Sequence, residues 1–216
     1  ITILCATRGR PDILKLAITS FDQTTFNKDL VDIWLLVDDD DSTTLEFLES
    51  GWPDSVGLSM NWIVGERPRT LSAGLNALWR AASNAGIYLA TADDHIMLTP
   101  GWDAHLRKIF NDGPDDRHLV AQITEVTRES DDLILWANSA EWSNTVGRLI
   151  PPYFPFWFWD MWIDQVSIMA GRKVQANVDM RPHSDEIAVT RGGTARWWRR
   201  RKNPRRRPRW RARRPL

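Results

Sequence analysis

A single cysteine, Cys5, in 216 residues excludes any intrachain disulfide and leaves no CxxC pair or zinc-ribbon spacing. Nothing demands an oxidising compartment, so a reducing cytoplasm is the expected location. No run approaches the roughly 18 uninterrupted apolar residues of a membrane span. The start, ITILCATRGRP, has neither the basic n-region nor the long apolar h-region of a secretory leader. It opens on a strand-like run without Met, and a few residues are expected to precede it. No internal repeat is visible. A Gly-rich, Lys-containing phosphate loop is missing too: TRGRP, after the first apolar run, is short and has no lysine.

What is present is ordinary in bulk and unusual in detail. A hydrophobic fraction of 43% and a charged fraction of 26% fit a soluble globular chain, long enough for one sizeable core. Thirteen tryptophans point to aromatic-lined clefts as well as a core. The formal net charge of zero conceals a split: residues 196–216 hold 12 basic and no acidic residues, leaving 16 basic against 28 acidic in the rest. From Arg191 onward the chain has no packing face and reads as a disordered basic tail. Its arginines, interleaved with Trp197, Trp198 and Trp210, suit phosphates of nucleic acid or of an anionic membrane. The abrupt change in composition after Gly193 is equally what a shifted reading frame gives.

Apolar runs and helical periodicities alternate along the first half. Residues 1–7 form a strand-like run stopped by Arg8-Gly9-Arg10-Pro11, and Asp12 to Phe21 has helical spacing. Val31 to Val37 is a second apolar run, ending in Asp38 to Asp41; Ser42-Thr43-Thr44 then caps a helix from Leu45 to Ser50. Asn61 to Val64 is the third strand, followed by a helix from Leu71 to Asn84. Gly86 to Thr91 is the fourth, and it delivers the chain to Asp93-Asp94-His95. Alternation of this kind predicts a mostly parallel sheet flanked by helices, whose ligands lie beyond the carboxyl ends of the strands. Later segments read as a helix from Trp102 to Phe110, a strand pair at 119–126 and 133–137, an aromatic, Pro-broken stretch at 149–163, a helix from Asp160 to Ala170, and a strand from Lys173 to Val178 leading to His183.

Two carboxylates and an imidazole side by side at Asp93, Asp94 and His95 are costly unless solvated, paired or bound. Carboxylate oxygens there suit a hard divalent ion, and a borderline ion such as Mn²⁺ also accepts imidazole. A plain turn or helix cap is the competing explanation for the cluster taken alone.

The ordered series TRGRP, LLVDDDD, LNALWRAA, GIYLATADDH and TPGW resembles nucleotide-sugar glycosyltransferases of the GT-A fold, in particular the large inverting family 2. The resemblance is close over residues 1–110 and looser over 150–185. It implies an α/β, Rossmann-like GT-A domain over residues 1–190, with a nucleotide-binding half (1–110), a smaller acceptor half (111–190) and the tail at 191–216. It implies transfer of a sugar from a UDP- or GDP-sugar to an acceptor hydroxyl of a glycan or other molecule, with Mn²⁺ or Mg²⁺ neutralising the departing diphosphate. Thr7 and Arg8 would sit by the nucleotide, Asp38 and Asp39 would bind base and ribose, and Asn76 would face the nucleotide pocket. Asp93 to His95 would be the D-x-D type motif, with Asp93 at the ribose and Asp94 or His95 on the metal. The family usually has Asp at the third position, so which of the two is the ligand stays open here. His183 would complete the metal site. The catalytic base would be Asp160, with Asp164 as second choice, and Trp157, Trp159 and Trp162 would form either an acceptor platform or an aromatic core. Glu66, Arg67 and Arg69 would approach the diphosphate. The alternatives are a nucleotidyltransferase, or a non-catalytic protein that binds glycan or nucleic acid on a degenerate domain of this fold.

Overall fold

The computed structural model describes residues 1–82, 85–127 and 133–183. Among these, one eight-stranded sheet organises the chain, in the order β3-β2-β1-β4-β7-β6-β8-β5. Strands β1 (Thr2–Thr7), β2 (Asp32–Asp38), β3 (Ser59–Gly65) and β4 (Ile87–Ala92) are mutually parallel. β7 (Leu135–Ser139) runs antiparallel to β4 and to β6 (Val120–Glu125). β8 (Lys173–Pro182) then lies parallel to β6, and the short β5 (His95–Met97) closes the edge antiparallel to β8.

Alternation along the strands sends successive side chains to opposite faces. Ile3 and Cys5 of β1 join one core with Leu14, Ile18 and Phe21 of α1 (Pro11–Thr24), and with Trp102 and Leu106 of α4 (Trp102–Asn111). Leu4 joins the other core, with Leu75 and Leu78 of α3 (Leu71–Ala81), Trp142 of α5 (Ala140–Val146) and Ile163 of α6 (Trp159–Met169). Both faces are therefore covered, as the continuous apolar character of β1 requires. Burial also pushes the Cys5 thiol well up, so it acts as a small core hydrophobe.

The sheet order has a consequence for function. β1 sits between β2 and β4, so the chain leaves it on one side and returns on the other, and a crevice opens beyond the carboxyl ends of β1 and β4.

Four local expectations are corrected. The second helix, α2 (Ser42–Glu49), is capped by Asp41 rather than by Ser42 to Thr44; the carboxylate accepts from the amide of Thr44 at 3.2 Å and from its hydroxyl at 2.6 Å. α3 ends at Ala81, short of Asn84, and residues 83–84 lie outside the described set. α5 is a short helix that the periodicity did not announce; the Ser139 hydroxyl caps it by accepting from the amide of Trp142 at 3.2 Å. β5 was hidden by its length of three residues, since its strand character depends on pairing with the far end of β8, Met180 to Pro182.

Candidate active site

Three strand ends meet in the crevice. Thr7, ending β1, donates its hydroxyl to Asp93 Oδ2 at 2.9 Å just beyond β4. Gly9 has φ of +62°, a conformation open to glycine at little cost, and it turns the chain so that the flanking arginines serve different strands. Arg8 bridges to Asp38 at 2.6 Å at the end of β2 and forks onto Asp40. Arg10 reaches the other way: its Nε lies 3.2 Å from Asp93 Oδ2, its Nη2 pairs with Asp93 Oδ1, and its Nη1 lies 3.5 Å from Asp94. The Gly9 amide donates to Asp41 at 2.7 Å, so the same aspartate that caps α2 also fixes this loop. Asp40 and Asp41 are thus structural, as a turn and a cap. Asp40 is exposed and ion-paired, whereas Asp41 is buried.

The electrostatics follow from these partners. Asp93 is fully buried; desolvation pushes its carboxyl up, against the pull of Arg10 and of the Thr7 hydroxyl. Asp40 is held below the usual carboxylate range chiefly by its hydrogen bond to Arg8. Asp39 is exposed, with its amide on the carbonyl of Gly65 at 2.9 Å, and Arg67 stands 3.9 Å from Asp38. Of the three residues expected near the diphosphate, Arg67 therefore has a link to the crevice.

β5 and β8 build the far wall. His95 pairs in register with Pro182, and the amide of His183 donates to the carbonyl of Asp94 at 2.6 Å, so the turn after β4 and the end of β8 are joined. His95 Nδ1 lies 3.4 Å from Asp94 Oδ1, and its Nε2 lies 3.9 Å from Glu125 at the end of β6. Nδ1 of both His95 and His183 is buried without a hydrogen-bond partner. Orphaned imidazole nitrogens, with carboxylates beside His95, are donors of the kind that a borderline divalent ion accepts, so these residue types fit the expected metal chemically. Among the described residues no three acidic, histidine or cysteine side chains yet close on one point, and the guanidinium of Arg10 lies against the carboxylates.

Two expected site residues stand elsewhere. Asn76 is buried in α3 and its amide group is committed to the loop after α5: Oδ1 accepts from the amides of Leu149 and Ile150 at 2.9 and 3.1 Å, and Nδ2 donates to the carbonyl of Ile150 at 2.7 Å. It holds that loop rather than facing a ligand. Asp164 is also buried, 2.5 Å from Lys173 at the start of β8. Since β8 runs parallel to β6, and β6 is antiparallel to β7, which is itself antiparallel to β4, Lys173 lies at the end of the sheet opposite Asp93. The four-residue step from Asp160 to Asp164 descends about 6 Å along α6, away from the crevice.

Asp160 lies in the first turn of α6, with Oδ1 accepting from the amide of Met161 at 2.8 Å. The cap residue itself is Phe158, at φ of +71°. The tryptophans divide: Trp159 packs edge-on against Trp136 at 5.2 Å and Trp162 lies against the second core, whereas Trp157 is 60% exposed beside Tyr153, Phe156 and Phe158. The basic tail lies outside the described residues.

Sequence reading missed Arg10 and Glu125. Arg10 was visible in TRGRP, but its role requires β1 and β4 to be neighbours. Glu125 is a fourth carboxylate at a strand end, a signal that becomes legible once β6 and β8 are known to pair.

No family model matches this chain, and no curated protein matches it. Solved structures do. The mannosyltransferase PcManGT from Pyrobaculum calidifontis, in complex with GDP-Man and Mn²⁺, superposes with a TM-score of 0.68 at 15% identity, over 93% of this chain and 60% of that one. TarS residues 1–349 from S. aureus gives 0.63 at 11% identity, over 87% and 61%. A putative glucose-1-phosphate thymidylyltransferase from Bacillus anthracis gives 0.57 at 11%, over 90% and 94%. The chain thus spans about three fifths of PcManGT and of TarS residues 1–349. Its α/β sheet, flanked by helices and mostly parallel, has the GT-A fold of nucleotide-sugar glycosyltransferases.

Proposed function

We propose that the chain transfers a sugar from a nucleoside-diphosphate donor to an acceptor hydroxyl, with inversion at the anomeric carbon. The observation that carries this reading is the convergence of Thr7, Arg8, Asp38 and Asp93 from three strand ends on one crevice at the switch point of the sheet. Support comes from a shared fold with proteins solved with GDP-Man or UDP, two of them with Mn²⁺.

In this reading Asp38 and Asp39 hold base and ribose, Thr7 and Arg8 line the nucleotide, and Asp93 takes a ribose hydroxyl. Asp94, His95 and His183 would hold Mn²⁺ or Mg²⁺, which supplies Lewis-acid neutralisation of the departing diphosphate. The acceptor hydroxyl attacks the anomeric carbon from the side opposite the leaving group, and Asp160 takes its proton. The exposed face of Trp157 lies in the same loop region as the base and offers a stacking surface to a sugar ring.

The thymidylyltransferase likeness favours a second reading, a nucleotidyltransferase, because that chain is matched over nearly its whole length. The two differ in product. Incubated with UDP- or GDP-sugars and Mn²⁺, the protein should release UDP or GDP; release of pyrophosphate from a nucleoside triphosphate and a sugar phosphate, with no diphosphate from the sugar donors, would replace the first reading by the second.

A further inference from the structure

Asp93 and Asp94 already have a cation. Arg10 lies on both, meeting Asp93 through Nε and Nη2 and Asp94 through Nη1, and it is the one arginine of TRGRP that reaches this strand end. Its backbone is fixed, since the Arg10 carbonyl accepts from the amide of Leu14 at the start of α1, 3.0 Å away. Its side chain is not enclosed: it is 27% exposed, while Asp93 is 0% exposed. A long side chain anchored at a helix start and partly exposed can leave the carboxylates without moving the fold.

We propose that Arg10 is the resident counter-cation of the Asp93–Asp94 pair and competes with the divalent ion for these carboxylates. This rests on the metal-dependent reading above. A buried carboxylate with no partner is costly, so the guanidinium stabilises the carboxylate pair. The same positive charge opposes a second cation a few ångströms away, and it must withdraw for the carboxylate oxygens to turn to a metal. Its absence from the carboxylates would let Asp94 join His95 and His183; its presence accounts for donors that are chemically right and not yet gathered. Arg10 is then a positioning residue that sets how tightly the site holds metal.

The test is Mn²⁺ affinity without nucleotide, read from the electron paramagnetic resonance signal of free Mn²⁺, with the melting temperature as a second readout. Arg10→Gln should bind Mn²⁺ about tenfold more tightly than the unchanged protein or better, and Mn²⁺ should raise its melting temperature further. Arg10→Lys keeps the charge but loses the planar fork, and should fall between the two. Equal or weaker Mn²⁺ binding by Arg10→Gln overturns the proposal; if that variant does not fold, Arg10→Lys carries the test, and affinity no higher than the unchanged protein's overturns it. Should the unchanged protein bind Mn²⁺ with UDP or GDP while neither variant gains affinity, the counter-cation role alone is lost. Should none bind Mn²⁺ with or without nucleotide, the metal-dependent reading is lost with it.

Discussion

The two halves of the crevice are built by different means. On the β1, β2 and β4 side the charges at the strand ends are tied down: Arg8 to Asp38 and Asp40, Arg10 to Asp93 and Asp94, and Asp41 to the Gly9 amide and the Thr44 hydroxyl. On the side of the loop before α6 the surface is aromatic and open, with Tyr153, Phe156, Trp157 and Phe158 all at least half exposed. A nucleoside diphosphate is a fixed, charged object that a rigid set of strand ends can match in advance. In the proposed reading the acceptor would meet this apolar area, with few directional bonds, which suits a ligand that completes the surface when it binds.

The contrast breaks most sharply at Asp160. Asp160→Asn should leave the melting shift given by UDP or GDP with Mn²⁺ intact and lower kcat by about a hundredfold to ten-thousandfold. Normal turnover would move the base elsewhere. Asp164→Asn should keep kcat, since its carboxylate pairs with Lys173 at the other end of the sheet, and a loss of transfer equal to that of Asp160→Asn would contradict this register.

Next in size is the joint between the halves. Asn76→Ala removes three buried hydrogen bonds from α3 to the loop at Leu149 and Ile150, and should cost about 2–4 kcal/mol of stability. If Asn76 instead faced nucleotide, its replacement would weaken donor binding with unfolding free energy unchanged. The smallest effect lies on the aromatic side, where Trp157→Ala should raise KM for the acceptor by a factor corresponding to about 1 kcal/mol and leave the melting temperature unaltered.

Away from the crevice, by the amino terminus of β1, the chain also carries an acid signature. For Asp103, burial pushes the carboxyl up, but the amides of Phe26 and Asn27 and the guanidinium of Arg107 outweigh it, and the folded value lies below the ordinary one. A depressed carboxylate contributes stability above its unfolded value, and loses that contribution as pH falls toward its folded value. Chemical denaturation should therefore show stability falling below about pH 4, with a shallower fall in Asp103→Asn. An identical fall in both would remove Asp103 from the account.

The same contrast explains what could be read from the sequence. Buried parallel strands are continuous apolar runs, and their ends are abrupt, so TRGRP, LLVDDDD and ATADDH marked Thr7, Arg8, Asp38 and Asp93 before any pairing was known. What depended on pairing was hidden. Arg10 needs β1 beside β4, Glu125 needs β6 beside β8, and β5 exists only against β8. The pairing of Asp164 with Lys173 was not legible because helical spacing gives an interval without the direction in which the helix descends the sheet. The loop that Asn76 holds was not legible because the residues it bonds are more than 70 positions away.

The central claim is that the joined strand ends form a nucleoside-diphosphate and metal site. Thermal melting of the unchanged protein and of Asp93→Asn with UDP or GDP, with Mn²⁺, and with both tests it most directly. Nucleotide and Mn²⁺ together should raise the melting temperature of the unchanged protein by more than the two separate shifts combined, and the excess should vanish in Asp93→Asn. No shift for any combination in the unchanged protein, or the same excess in Asp93→Asn, would contradict it.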